Sequence, residues 1–194
     1  KQFEADTNTS LTVLLDISRS MNFGSQGITK LDYARYLAAS LAVFSQKQRD
    51  RIGLVTFDED IVDFVPPSAK HLEIVLHTID RVKSTKAGDY RKPLQKIAGA
   101  IQRRSIVVLI SDLYDEPEAI LDAVKGLRYK GNDLIVFHVL DPAELSFPYD
   151  EAANYRDLES GEAQPIVPEY LRDEYRKLVQ EHISLLTHTL GDNK

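Results

Sequence analysis

LTVLLDISRS, residues 11–20, is the stretch whose reading decides the fold. Leu11 to Leu15 is a continuous apolar run that stops at Asp16. A strand wetted on one face alternates apolar and polar residues, whereas a short unbroken run reads as a parallel strand covered on both faces. Asp16-Ile17-Ser18-Arg19-Ser20 then sets a carboxylate and two hydroxyls at the carboxyl end of that strand. In a doubly wound sheet, ligands bind there, where the strand order reverses.

Working outward, Leu31, Ala34, Leu37, Ala38, Leu41 and Phe44 recur at three- and four-residue spacing, the pattern of an amphipathic helix. Ile52 to Phe57 is a second strand, and Asp58-Glu59-Asp60 turns it into Ile61 to Val65, an antiparallel edge strand expected to stop at Pro66-Pro67. Leu72 to Val82 and Leu94 to Ile101 carry two further helical patterns. Ser105 to Ile110 is another fully apolar strand, ending at Ser111-Asp112. Asp115 and Pro117 open a helix that Gly131 closes, and Leu134 to Leu140 is the last core strand. Beyond Asp141 the chain turns polar, with a small hairpin expected at Tyr155 to Leu158 and Ala163 to Val167, and a last helix from Pro168.

Strands that alternate with helices and are apolar on both faces predict an α/β fold. The expected form is three layers, α/β/α, around a doubly wound, mainly parallel sheet with one antiparallel edge strand. Residues 1–194 read as a single domain, with the hairpin and helix of about 141–194 as an extension. At this length one core buries roughly 70% of the surface of the unfolded chain without staples. There are no cysteines, which removes disulfides and thiolate metal sites and fits a reducing compartment. The net charge of −6 argues against nucleic acid and anionic membrane as partners. No apolar run approaches the roughly 20 residues that span a bilayer. The chain opens Lys1-Gln2-Phe3-Glu4 without methionine, which reads as a piece of something longer.

If the strands ending at Asp16 and Ser111 are neighbours, Asp16, Ser18, Ser20 and Asp112 converge on one small volume. Hydroxyl and carboxylate oxygens are hard ligands and, with water, suit magnesium, manganese or calcium. Taken alone, Asp-x-Ser-x-Ser is also an ordinary N-cap and turn sequence. No Gly-x-Ser-x-Gly elbow or phosphate-binding glycine loop is present, and no histidine is placed to activate a serine. His138 lies in an apolar strand and reads as a satisfied core residue, and His71, His77, His182 and His188 as helix-surface residues. Asp58-Glu59-Asp60 reads as a solvated turn. Arg19 is either a surface arginine paired with a nearby carboxylate or a fork for a partner's carboxylate.

The Asp-x-Ser-x-Ser run with a later Ser-Asp at a central strand end resembles the metal-ion-dependent adhesion site of von Willebrand A domains. That resemblance implies Ser18 and Ser20 as direct ligands, Asp16 and Asp112 in a charge-balancing shell acting largely through water, and a coordination position left for a partner's carboxylate. The family's third element is a threonine in the loop before the third helix, usually after a glycine. Here that loop reads Ser84-Thr85-Lys86-Ala87-Gly88-Asp89-Tyr90, which places Asp89 at the site, with Thr85 reaching in only if the loop is remodelled. A third carboxylate would neutralise more of the cation's charge and weaken its pull on an acidic ligand.

Longer runs, among them Phe3-Glu4-Ala5, Asp16 to Met21, Lys30 to Ala34, Gly53 to Asp58, Val107 to Leu113, Val136 to Pro142 and Tyr155 to Glu162, are similar to a bacterial von Willebrand A-like family encoded beside MoxR-type AAA+ ATPases. The resemblance implies a cytoplasmic, non-enzymatic protein-binding module. Its cofactor would be a divalent cation, magnesium ahead of manganese or calcium, and its partner a MoxR-type ATPase or that ATPase's client, in protein maturation or assembly. A metal-assisted hydrolase on the same oxygens and a metal-free scaffold are the alternatives.

Overall fold

The computed structural model describes residues 9–191 apart from residues 85, 90, 102, 103, 130 and 159. Thr85, the alternative third element, and the Phe3-Glu4-Ala5 run lie outside the described residues. Strands β1 (Ser10–Asp16), β2 (Arg51–Phe57), β3 (Ile61–Ser68), β4 (Ile106–Ser111) and β5 (Asp133–His138) form one sheet in the order β3-β2-β1-β4-β5. Every pairing is parallel except β2 with β3, so the antiparallel edge falls where the turn at Asp58-Glu59-Asp60 predicts it. From β1 the chain moves outward through β2 and β3, then restarts on β1's other flank as β4. The order therefore reverses between the carboxyl ends of β1 and β4.

Helices α1 (Lys30–Lys47) and α2 (Leu72–Arg81) cover one face of the sheet, with Ala34, Ala38, Ala42, Val75 and Ile79 packed on Val13, Leu15 and Leu54. On the other face, α3 (Arg91–Ala100), α4 (Pro117–Arg128) and the long final helix α6 (Pro168–Gly191) pack Leu94, Ile97, Ile120, Val124 and Leu186 on Leu14, Val55 and Leu109. Successive β1 residues thus feed opposite cores, which is why its sequence shows no alternation. A short helix α5 (Pro142–Ser146) follows β5, and β6 (Ala153–Arg156) and β7 (Ala163–Ile166) make a separate antiparallel hairpin, with Gly161 in the left-handed region at its turn.

Two expectations are corrected. Pro66-Pro67 does not stop β3, which continues to Ser68. An edge strand can lose N–H donors to solvent without breaking its ladder, and the register shifts between Ile52 and Leu54 to accommodate the prolines. Gly53 lies opposite, where a Cβ would come 2.9 Å from Pro67. Phe44, assigned to the buried face of α1, is 61% exposed. The buried stripe of α1 runs through Leu31, Ala34, Ala38, Ala42 and Ser45, so Ser45 takes the inward position and Phe44 beside it turns to solvent.

Candidate metal and docking site

β1 and β4 are direct neighbours, pairing Leu15 with Ile110, so the sheet delivers Asp16 and Ser111-Asp112 to one point. Asp16, Ser18, Ser20, Ser111 and Asp112 are all buried. Asp16 organises the cluster: its Oδ1 accepts the Ser18 N–H at 2.8 Å, and its Oδ2 accepts the Ser111 hydroxyl at 2.6 Å. The Asp16 carboxylate thereby ties the loop after β1 to the end of β4. The Ser111 Oγ also accepts the Leu113 N–H at 2.9 Å. Leu113 is fully buried with φ +51°, a left-handed conformation that a branched side chain adopts only when its surroundings enforce it. His182 on α6 adds to that constraint by donating to the Leu113 carbonyl at 3.2 Å.

The Ser18 and Ser20 hydroxyl oxygens lie 3.1 Å apart. Ser84 Oγ donates to the Ser18 carbonyl at 2.6 Å, and Arg19 N–H donates to the Lys86 carbonyl at 2.8 Å, so the loop before α3 braces the serine turn from outside. Gly88 packs directly on Ser18, where a Cβ would come 3.0 Å from the Ser18 Cβ. Asp89 is held beside it: its N–H donates to the Asp58 carbonyl at 3.3 Å, and its Oδ1 accepts the Arg91 N–H at 2.9 Å at the start of α3. Among the described residues no three carboxylates or histidines gather at metal-holding spacing. The oxygen set at the strand ends is two carboxylates with hydroxyls, while the Asp89 carboxylate is engaged at the start of α3.

Lys30 and Glu144 complete the cluster, and no role was read for either from the sequence. The Lys30 ammonium is buried, 2.8 Å from Asp112 Oδ2 and 2.6 Å from Glu144 Oε1. It also lies 5.1 Å from the centroid of the Tyr114 ring. Two signals were legible. A lysine in the first turn of a helix opposes the helix dipole unless an anion holds it, and Asp141-Pro142-Ala143-Glu144 spells a capping box. In the structure Asp141 accepts the Ala143 N–H at 2.8 Å, and Glu144 accepts the Asp141 N–H at 2.8 Å. Burial pushes the Glu144 carboxyl above the ordinary range, against the opposing pull of Lys30.

This donor set fits a hard cation. For six-coordinate magnesium, adjacent ligands at roughly 2.1 Å from the ion stand about 3 Å apart, and the Ser18–Ser20 oxygen separation of 3.1 Å matches that spacing. One ammonium balances one carboxylate, so Lys30 against Asp16, Asp112 and Glu144 leaves the buried cluster net negative. A buried excess of one sign is costly until a counter-charge joins it.

The other charges take quieter parts. His138 is half-buried, its Nε2 donates to the Asp112 carbonyl at 2.9 Å, and burial lowers its pKa. His182, expected at the surface, is partly buried against it in an edge-on ring contact at 6.4 Å. Neither of these contacts activates a serine. The turn at Asp58-Glu59-Asp60 is more than solvated: Glu59 pairs with Lys86 at 2.6 Å, and Asp60 with Lys92 and Lys96 at 2.9 and 2.7 Å, which tethers the loop carrying Gly88 and Asp89. Arg19 is exposed and donates to the Leu158 carbonyl at the hairpin turn at 3.4 Å.

Residues 1–184 match the family described as "Protein of unknown function DUF58". The chain is a DUF58 protein. It is 23% identical over 196 residues to "Uncharacterized protein Rv1480" of Mycobacterium tuberculosis and to "Uncharacterized protein Mb1516" of Mycobacterium bovis; each alignment covers 98% of this chain and 61% of the relative. The DUF58 chain thus spans about three fifths of the length of the curated relatives it matches. Among solved structures it resembles an aerotolerance-related membrane protein from Bacteroides fragilis, with TM-score 0.63, 18% identity and 87% of each chain covered. It also resembles the conserved hypothetical protein BatB from Bacteroides thetaiotaomicron, with TM-score 0.62 and 16% identity over 93% of this chain and 99% of that one. At these identities the likeness is one of fold: helices on both faces of a mainly parallel sheet with one antiparallel edge. No helix among the described residues is long and apolar enough to cross a membrane.

Proposed function

We propose that this DUF58 domain is a non-enzymatic protein-docking module whose contact face is the mouth of the oxygen cluster between β1 and β4. In this reading Ser18 and Ser20 hold a divalent cation, magnesium ahead of manganese or calcium. Asp16 and Asp112 balance its charge through water, and Asp89 adds a negative charge at the rim. A bound cation of this kind supplies a Lewis-acidic point for a partner's carboxylate. The protein's own contribution is to hold two hydroxyls fixed, orient the Asp16 carboxylate between two donors, and surround the point with low-dielectric walls. The partner is a cytoplasmic MoxR-type AAA+ ATPase or that ATPase's client, following the resemblance of the Asp16 to Met21 and Val107 to Leu113 runs.

The observation that carries this reading is the 3.1 Å pair of Ser18 and Ser20 hydroxyls beside two buried carboxylates. Calorimetric titration of magnesium and manganese into chelator-treated protein, with Ser18→Ala as control, tests the cation. Heat that disappears in the variant is the expected result. Capture of the ATPase with and without chelator tests the docking, and capture that survives both chelator and Asp16→Ala would defeat it.

A second reading is favoured by one observation. The Lys30 ammonium already sits on Asp112, so the cluster could serve as a metal-free scaffold with a resident cation. In that case neither metal produces heat with the parent protein or with Ser18→Ala.

A further inference from the structure

Beside the oxygen cluster lies a cavity of roughly 950 Å3, bounded by the Ser20 turn, α5, the β6–β7 hairpin and α6. It is within the size range of sites that enclose whole side chains and short segments. Its walls are aromatic: Tyr114, Phe147, Tyr149, Tyr155 and Tyr175 all line it. Phe147 is the hub, with ring centroids 4.7 Å from Tyr175, 5.3 Å from Tyr149 and 5.8 Å from Tyr155. Phe147 holds this place with φ +45°, a left-handed backbone at the end of α5. Its rim is acidic: the exposed Asp157, Glu162 and Glu174 line it with Arg156, the one basic side chain among the described residues that do so.

We propose that this cavity receives a cationic side chain, an arginine or lysine carried on an extended segment of a protein partner. Aromatic faces carry negative potential and attract cations most strongly when water is displaced, and carboxylates around the mouth add directional charge-assisted bonds. The inner wall already shows the chemistry at work, because Lys30 is held between Glu144 and the Tyr114 ring. An apolar occupant would have to bury against the acidic rim without offering it a counter-charge. An acidic occupant would meet like charge. Ser20 lines the cavity, so a segment that fills it lies against the serine turn. The choice of a protein partner rests on the docking reading above, while the cationic chemistry rests on the cavity alone.

The test uses the full chain and capped tripeptides Gly-Arg-Gly, Gly-Lys-Gly, Gly-Leu-Gly and Gly-Glu-Gly, followed by NMR of the tyrosine rings in chelator and again in magnesium. Saturable shifts of Tyr149, Tyr155 and Tyr175 with the Arg or Lys peptide are expected, at least about tenfold tighter than with the Leu peptide. The exposed pair Glu162→Gln/Glu174→Gln should weaken binding about tenfold with an unchanged thermal midpoint, and Glu174→Lys should weaken it further. Equal binding of the Leu peptide, or none by any peptide, would overturn the proposal. So would methylguanidinium binding as tightly as the Arg peptide, which would mark a small-cation site. Peptide binding that persists in chelator supports the cavity even where the divalent-cation reading fails, so the two fail separately.

Discussion

The Lys30 ammonium lies 2.8 Å from Asp112 Oδ2 with both side chains shut away from water, 2% and 0% exposed. A buried ion pair adds little over a well-packed apolar pair, but removing one partner strands the other. Lys30→Met is therefore expected to cost about 3–5 kcal/mol, read as a lower urea midpoint. A divalent cation would supply the missing charge, so magnesium should raise the melting temperature of Lys30→Met more than that of the parent. Equal shifts in both proteins would mean that ammonium and metal do not share a field.

Ser111 is the joint between the two strand ends, donating to Asp16 Oδ2 at 2.6 Å while accepting from Leu113 N–H at 2.9 Å. Ser111→Ala leaves a carboxylate oxygen and a backbone donor short of a buried partner. That costs about 1–3 kcal/mol, and magnesium affinity should fall by roughly 10–100-fold, as for other groups that orient a site from behind. Calorimetry on the variant beside the parent reads both effects. An unchanged metal affinity would show that Asp16 does not govern the site.

The layers and the strand-end motif were legible because they obey local rules. Leu11 to Leu15 and Ile106 to Ile110 lack alternation because both their faces are covered, and Asp16 and Ser111 end neighbouring strands because the chain restarts across β1. The Lys30–Glu144 contact joins residues more than a hundred positions apart, and no local pattern announces such a pairing; the lysine at a helix start and the capping box at Asp141 to Glu144 mark each residue without joining them. The hub that joins the tail tyrosines around a cavity depends on a left-handed Phe147, which propensity does not foresee. Pro66-Pro67 misled for the opposite reason: a local rule about strand interiors does not bind an edge.

Gly88 offers a way to disturb the serine turn without touching a ligand. A Cβ there would come 3.0 Å from the Ser18 Cβ, closer than most real contacts, so Ser18 or the loop must give. Gly88→Ala is expected to lower magnesium affinity by about tenfold with little change in the urea midpoint, since the loop is exposed on its outer side. Gly88→Val should lower it further. Parent-like affinity in both variants would place Ser18 outside the coordination sphere.

Asp141 sets part of the acid limb of stability. Burial alone would raise its carboxyl, but the hydroxyl and N–H of Ser25, the Ala143 N–H and the charge of Lys30 together hold it below the ordinary value of 3.8. A group depressed on folding stabilises above its unfolded pKa and loses that contribution as pH falls through the folded value. The parent should therefore keep its Asp141 contribution at neutral pH and lose it progressively below pH 3.8. Glu144 acts in the other direction, because burial raises it and its protonation favours the folded state. Comparing the parent with Asp141→Asn isolates Asp141, since Glu144 is common to both and the amide oxygen can still accept from Ala143. Urea midpoints between pH 7 and pH 3 should fall more steeply for the parent than for the variant. Parallel curves would mean that Asp141 titrates alike in the folded and unfolded chain, and that its ties to Ser25 add no charge-dependent stability.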